Sequence, residues 1–107
     1  MERLAVLIAD DERNIRKTLR LCLESLECDV KEAAAPQELD VALEAEGCDL
    51  VLLDLKFGPA NGLDLLPGIL ERQPEAAVAM ITAYATVETA VAAMKAGATD
   101  YLPKPFT

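Results

Sequence analysis

The chain contains no histidine. Ser-His-Asp and Cys-His catalysis are therefore unavailable, as are His general bases and most zinc sites. Basic residues are scarce, with 10 Lys and Arg against 19 Asp and Glu, for a net charge of −9. Such a domain repels nucleic-acid phosphates and is by itself a poor DNA or RNA binder. The three cysteines, Cys22, Cys28 and Cys48, are odd in number and form no C-x-x-C pair. They read as free, buried thiols of a reducing, cytoplasmic setting. The five glycines make no G-x-x-x-x-G-K phosphate loop, and no helix-turn-helix is evident. No apolar run approaches the roughly 18 residues of a membrane helix, so no membrane partner is expected. The opening Met1-Glu2-Arg3-Leu4 has neither the basic region nor the cleavage site of a signal peptide.

What remains is a chain of 107 residues, 52% hydrophobic, which suits one domain around one core. Leu4 to Ala9 is a continuous apolar run, as expected of a strand buried on both faces. Ile15, Leu19, Cys22, Leu23 and Leu26 then recur at helical spacing, with Arg13, Arg16, Lys17 and Arg20 on the other side. Cys28 to Ala34 mixes apolar and charged residues like a short edge strand. Pro36 opens a second helix carrying Leu39, Ala42 and Leu43, and Gly47 stops it. Asp49 to Asp54 is a second apolar strand, and Lys56 to Gly62 a loop rich in turn residues. Leu63 to Arg72 predicts a third helix, with a kink or loose first turn at Pro67-Gly68. Ala76 to Ile81 is a strand ended by Thr82, and Val87, Ala90, Val91 and Met94 predict a fourth helix closed by Gly97. Asp100 to Leu102 is a short last strand.

Strands alternating with helices, with near-continuous apolar strands, predict an α/β fold with a parallel sheet covered on both faces. The doubly wound, flavodoxin-like order 2-1-3-4-5, with the five strands numbered along the chain, puts the polar second strand at an edge. Most of a fifth helix is missing from this scheme, so one face of the fourth and fifth strands is expected to be bare.

In such a sheet the site lies at the carboxyl ends of the strands. The residues there are Asp10 and Asp11, Asp54, Thr82 and Lys104. Each has a plain structural explanation as a helix cap, loop residue or surface charge. Four separate strand ends converging on one edge favour a site instead. Crowded carboxylates repel one another unless a hard cation joins them. An oxygen-only donor set points to Mg²⁺, with Mn²⁺ as the alternative.

These residues carry a resemblance. L-I-A-Asp10-Asp11-E, L-L-Asp54, M-I-Thr82-Ala83 and Tyr101-L-Pro103-Lys104-Pro105-Phe106 are similar to the receiver domain of bacterial two-component response regulators. The similarity spans residues 1–107 except for the last helix. N-G-L-D-L-L-P, I-T-A-Y-A-T-V-E-T-A-V-A-A-M-K-A-G-A and D-Y-L-P-K-P-F further resemble the receivers of NtrC-type, sigma-54-dependent activators. The resemblance implies that Asp54 takes a phosphoryl group from a sensor histidine kinase. It implies that Asp11, Asp54 and the backbone carbonyl of Lys56 ligate Mg²⁺, with Asp10 acting through a metal-bound water. Lys104 would hold one phosphoryl oxygen and Thr82 another, Tyr101 would be the aromatic switch residue, and Lys104-Pro105 would be a cis bond. It further implies pairing of copies through the fourth helix and fifth strand, and output domains elsewhere in the intact protein. No separate substrate is turned over.

Three other readings compete. A pseudo-receiver normally lacks a key residue, and none is missing here. A flavodoxin needs a glycine- and hydroxyl-rich loop where Asp10-Asp11-Glu12 would repel the flavin phosphate. An aspartyl phosphatase needs a second acid two residues after its nucleophile, where this chain has Lys56. Lys56 and Tyr84 are expected to flank the path of water to the phosphorus and to slow hydrolysis.

Overall fold

The computed structural model describes residues 3–45 and 47–104. The elements run β1 (Ala5–Ala9), α1 (Arg13–Ser25), β2 (Asp29–Ala33), α2 (Pro36–Ala45), β3 (Leu50–Asp54), β4 (Lys56–Phe57), β5 (Ala60–Asn61), α3 (Gly62–Arg72), β6 (Ala77–Thr82), α4 (Val87–Lys95) and β7 (Asp100–Pro103). The main sheet is five-stranded, in the order β2-β1-β3-β6-β7, and every pairing is parallel. This is the flavodoxin-like 2-1-3-4-5 order, renumbered because the expected loop at 56–62 contains the short antiparallel hairpin β4–β5.

Strand side chains alternate between two apolar layers, as a period of two requires. Leu7, Val51, Leu53, Val78 and Met80 face the layer made by Leu39 and Leu43 of α2, Leu66 and Ile69 of α3, and Ala93 of α4. Val6, Ile8, Leu52, Ala79 and Ile81 face the other way, against Ile15, Leu19 and Leu23 of α1. The bare face expected on the fourth and fifth strands is confined to β7. Val78 to Thr82 of β6 are buried, whereas Leu102 and Pro103 are exposed.

Two further expectations are corrected. Helix α3 runs unbroken through Pro67 from Gly62 to Arg72. Its anchoring residues Leu66 and Ile69 are buried, and that packing outweighs the missing N–H. The cysteines are free, but only Cys28 is buried; Cys48 is intermediate and Cys22 exposed. Cys22 and Leu26 fall off the half-buried stripe of α1, which is held by Ile15, Leu19 and Leu23. Helix α1 closes without a glycine. Leu26 is its C-cap and Glu27 follows at φ 63°, with Cys28 N–H bonding Leu23 O and Glu27 N–H bonding Glu24 O, each at 3.0 Å. That is a Schellman closure with a glutamate in the position that usually selects glycine. Among the described residues no helix is long and apolar enough to cross a membrane.

Candidate metal and phosphoryl site

Strands β1, β3, β6 and β7 are neighbours, so their carboxyl ends lie in one row. Asp10 directly follows β1, Asp54 ends β3, Thr82 ends β6 and Lys104 directly follows β7. Asp10, Asp54 and Thr82 are buried, and the Lys104 side chain is 5% exposed. A buried ammonium of this kind is not a solvated surface charge, and it must be matched by carboxylates. Its Nζ lies 2.8 Å from Asp10 Oδ2, 3.2 Å from Glu12 Oε1 and 3.3 Å from Asp54 Oδ2.

The loop after β1 sets this geometry. Asp10 N–H donates to Ala33 O at 3.1 Å, and Asp10 Oδ1 accepts from Glu12 N–H at 2.8 Å. Asp10 thus does bond the backbone near the start of α1, yet its Oδ2 is buried without a hydrogen bond of good geometry. The turn folds Glu12 back over Asp10. Oxygens of Asp10, Glu12 and Asp54 lie within 4.8 Å of one another, while Asp11 is exposed and stands on the wall of the adjoining cavity. Sequence reasoning put Asp11 in this cluster and passed over Glu12.

The cavity, about 160 Å³, is lined by Asp11, Glu12, Asp54, Lys56, Ala83, Tyr84 and Lys104. Lys56 N–H donates to Asp54 Oδ1 at 3.2 Å, and the Lys56 ammonium lies 4.9 Å from the centroid of the Tyr84 ring. Thr82 Oγ1 accepts from Tyr84 N–H at 2.9 Å. Thr82 is not the cap of α4, a role filled by Thr86 in a reciprocal box with Thr89. The Tyr101 hydroxyl is hydrogen-bonded to Thr89 Oγ1, which ties the last strand to the first turn of α4. The Lys104-Pro105 bond includes Pro105, which lies outside the described residues.

Two supports escaped the sequence. A Cβ on Gly62 would come within 2.4 Å of Asp54 O, so glycine lets α3 begin against the backbone of Asp54. Arg16 donates from Nη1 to Asp10 O at 2.8 Å and from Nε to Glu32 Oε1 at 3.0 Å. Helical spacing had put Arg16 on the side of α1 away from its apolar residues, with no partner named.

The electrostatics suit a cation. Burial, reinforced by the nearby Asp10 charge, pushes the Asp54 carboxyl up to about 6 despite the opposing effect of Lys104. Burial works against the Lys104 charge, but the hydrogen bond and charge of Asp10, with Asp54 and Glu12, outweigh it and raise its pKa. One ammonium among three carboxylates leaves two negative charges uncompensated. An all-oxygen donor set whose negative charge Lys104 alone does not balance fits a hard divalent cation.

Comparison with known proteins agrees with this geometry. Residues 6–107 match the family model described as the response regulator receiver domain. The chain is 43% identical over 105 residues to the response regulator protein PilR of Pseudomonas aeruginosa, covering 98% of this chain and 24% of PilR. It is 38% identical over 108 residues to the DNA-binding transcriptional regulator NtrC of Escherichia coli, covering 99% of this chain and 23% of that protein. The chain therefore spans about a quarter of the length of these relatives. Among solved structures, a Burkholderia pseudomallei response regulator with a phosphorylated aspartic acid, a calcium ion and citrate superposes with a TM-score of 0.91 at 33% identity, over 99% of this chain and 62% of that one. With the fold, the clustered carboxylates and the family match in agreement, the chain belongs to the response regulator receiver domain family.

Proposed function

We propose that the chain is a phosphorylation-dependent switch. Asp54 accepts a phosphoryl group from the phosphohistidine of a sensor histidine kinase, in a reaction that depends on Mg²⁺ or Mn²⁺. The observation that carries this reading is the convergence of Asp10, Glu12 and Asp54 on the buried Lys104 beside an open cavity. An Asp54 oxygen attacks phosphorus in line, the P–N bond breaks as the P–O bond forms, and the imidazole leaves. Such transfers need little beyond positioning and positive charge. Lys104 supplies one charge and holds a phosphoryl oxygen. Asp10, Asp11, Asp54 and the Lys56 carbonyl would hold the cation, and Glu12 is close enough to join them. When bound, the cation neutralises charge on the phosphoryl oxygens. Ala83 leaves the mouth of the cavity open. Thr82 receives a second phosphoryl oxygen, and Tyr101 responds to its movement.

Residues 1–107 act as the receiver domain of a longer protein whose output domain is a sigma-54-dependent transcription activator. The exposed Val87, Val91 and Met94 of α4 and Leu102 of β7 support this face as the one through which copies pair. No separate substrate is turned over, and the setting is the cytoplasm. The test is incubation with a small phosphoryl donor and Mg²⁺, followed by mass spectrometry. One phosphoryl group is expected on the parent and none on Asp54→Asn; equal labelling of the two would refute the assignment.

A further inference from the structure

Arg16 sits one turn into α1, where side chains lean toward the helix N-terminus. Its guanidinium spans two elements. Nη1 donates to Asp10 O at 2.8 Å and Nε donates to Glu32 Oε1 at 3.0 Å. Glu32, on β2, is itself gripped on its other oxygen by Arg20 Nε at 2.6 Å, and Arg20 Nη2 donates to Val30 O at 3.0 Å. Asp10 lies just beyond the end of β1, and its carbonyl starts the loop that carries Asp11 and Glu12. The orientation of that peptide sets where the carboxylates of all three residues point. The Arg16 side chain is 15% exposed, and Glu32 fixes the plane of its fork.

We propose that Arg16, oriented by Glu32, is a positioning residue for the divalent cation: it pins the Asp10 carbonyl and so holds the acidic loop in ligating geometry. This rests on the cation-binding reading above. It differs from a structural salt bridge in what it predicts. Supporting partners of metal ligands typically alter affinity by about 10–100-fold. Long-range electrostatics predicts the opposite sign. Removing a cation from a chain of net charge −9 should tighten Mg²⁺ binding, not weaken it.

The experiment is calorimetric titration of the 107-residue chain with Mg²⁺, alongside thermal melts in EDTA. Arg16→Gln and the charge-conserving Arg16→Lys are each expected to weaken Mg²⁺ binding about tenfold. Arg72→Gln, which removes an exposed pair with Asp40, should bind as the parent does. Should the Arg16 variants fail to fold, Glu32→Asp keeps the charge and shortens the reach by one methylene; it too should weaken binding severalfold. Parental Mg²⁺ affinity in the folded variants, even with a lowered melting point, would overturn the inference and leave Arg16 as a structural contact. A parent that binds no Mg²⁺ would instead overturn the cation reading itself.

Discussion

Asp54→Asn should stabilise the metal-free protein, although it removes a charge 3.3 Å from Lys104. The carboxyl titrates at about 6 in the fold against an ordinary 3.8. At about 1.36 kcal/mol per pH unit, that difference puts an upper bound of about 3 kcal/mol on what the ionised group costs the fold. The folded state holds the proton more firmly than the unfolded state does. The cost is therefore complete above about pH 6, shrinks as pH falls, and is gone below 3.8, where both states are protonated. Asparagine keeps the shape and carries no charge, so at pH 8 in EDTA it should gain about 1–3 kcal/mol. For a domain of this size the melting temperature should rise by roughly 5–15 °C. At pH 4 the gain should almost vanish. Excess Mg²⁺ should offset most or all of this gain, because it stabilises the parent by about 2.7 kcal/mol at a hundredfold excess over Kd. The assay is thermal unfolding by circular dichroism at pH 8 and pH 4, with EDTA or Mg²⁺. An Asp54→Asn protein no more stable than the parent at pH 8 in EDTA would refute the claim that burial and Asp10 dominate over Lys104.

The remaining predictions concern single contacts. Glu27→Gly should stabilise the chain by about 0.5–1 kcal/mol in urea unfolding, because the φ of 63° costs a glutamate more than a glycine. Gly62→Ala should destabilise it by about 1–3 kcal/mol and slow labelling of Asp54, since the new methyl would meet the Asp54 carbonyl at 2.4 Å. Lys56→Asn combined with Tyr84→Ala should speed the decay of phospho-Asp54, measured in Mg²⁺ without kinase, because the pair stacked at 4.9 Å no longer covers the cavity. An unchanged or slower decay would leave the two as plain surface residues.

The strands were readable because five of the elements needed for the sheet carry apolar or edge-like runs that few other structures tolerate. Val6–Ala9 and Val51–Asp54 are buried, so the apolar pattern there is continuous and its end is marked by the first polar residue. The convergence of Asp10, Asp54, Thr82 and Lys104 followed from strand order alone. The hairpin at 56–61 was not readable, because two-residue strands are shorter than any periodic signal. Glu12 was missed because its place depends on one hydrogen bond, from its own N–H to Asp10 Oδ1. The contact of Arg16 with Asp10 was missed for a related reason. Helical spacing assigns a face, but a long side chain can lean from that face to a carbonyl beyond the helix. The glutamate at the α1 closure shows the same limit: a search for glycine finds the end of α4 at Gly97 and passes over Glu27.

The last rung between β6 and β7 joins two of the residues around Asp54 by their main chains. Lys104 N–H donates to Thr82 O at 2.7 Å, so the ammonium and the hydroxyl hang from opposite sides of one short strut. A pull on the Thr82 hydroxyl loads that strut and is felt at the root of the Lys104 side chain. As the proposed grips on a phosphoryl group, the two would behave as jaws on a common hinge rather than as independent fingers. Loosening either should slacken the other, and the loss from changing both should fall short of the sum of the two separate losses.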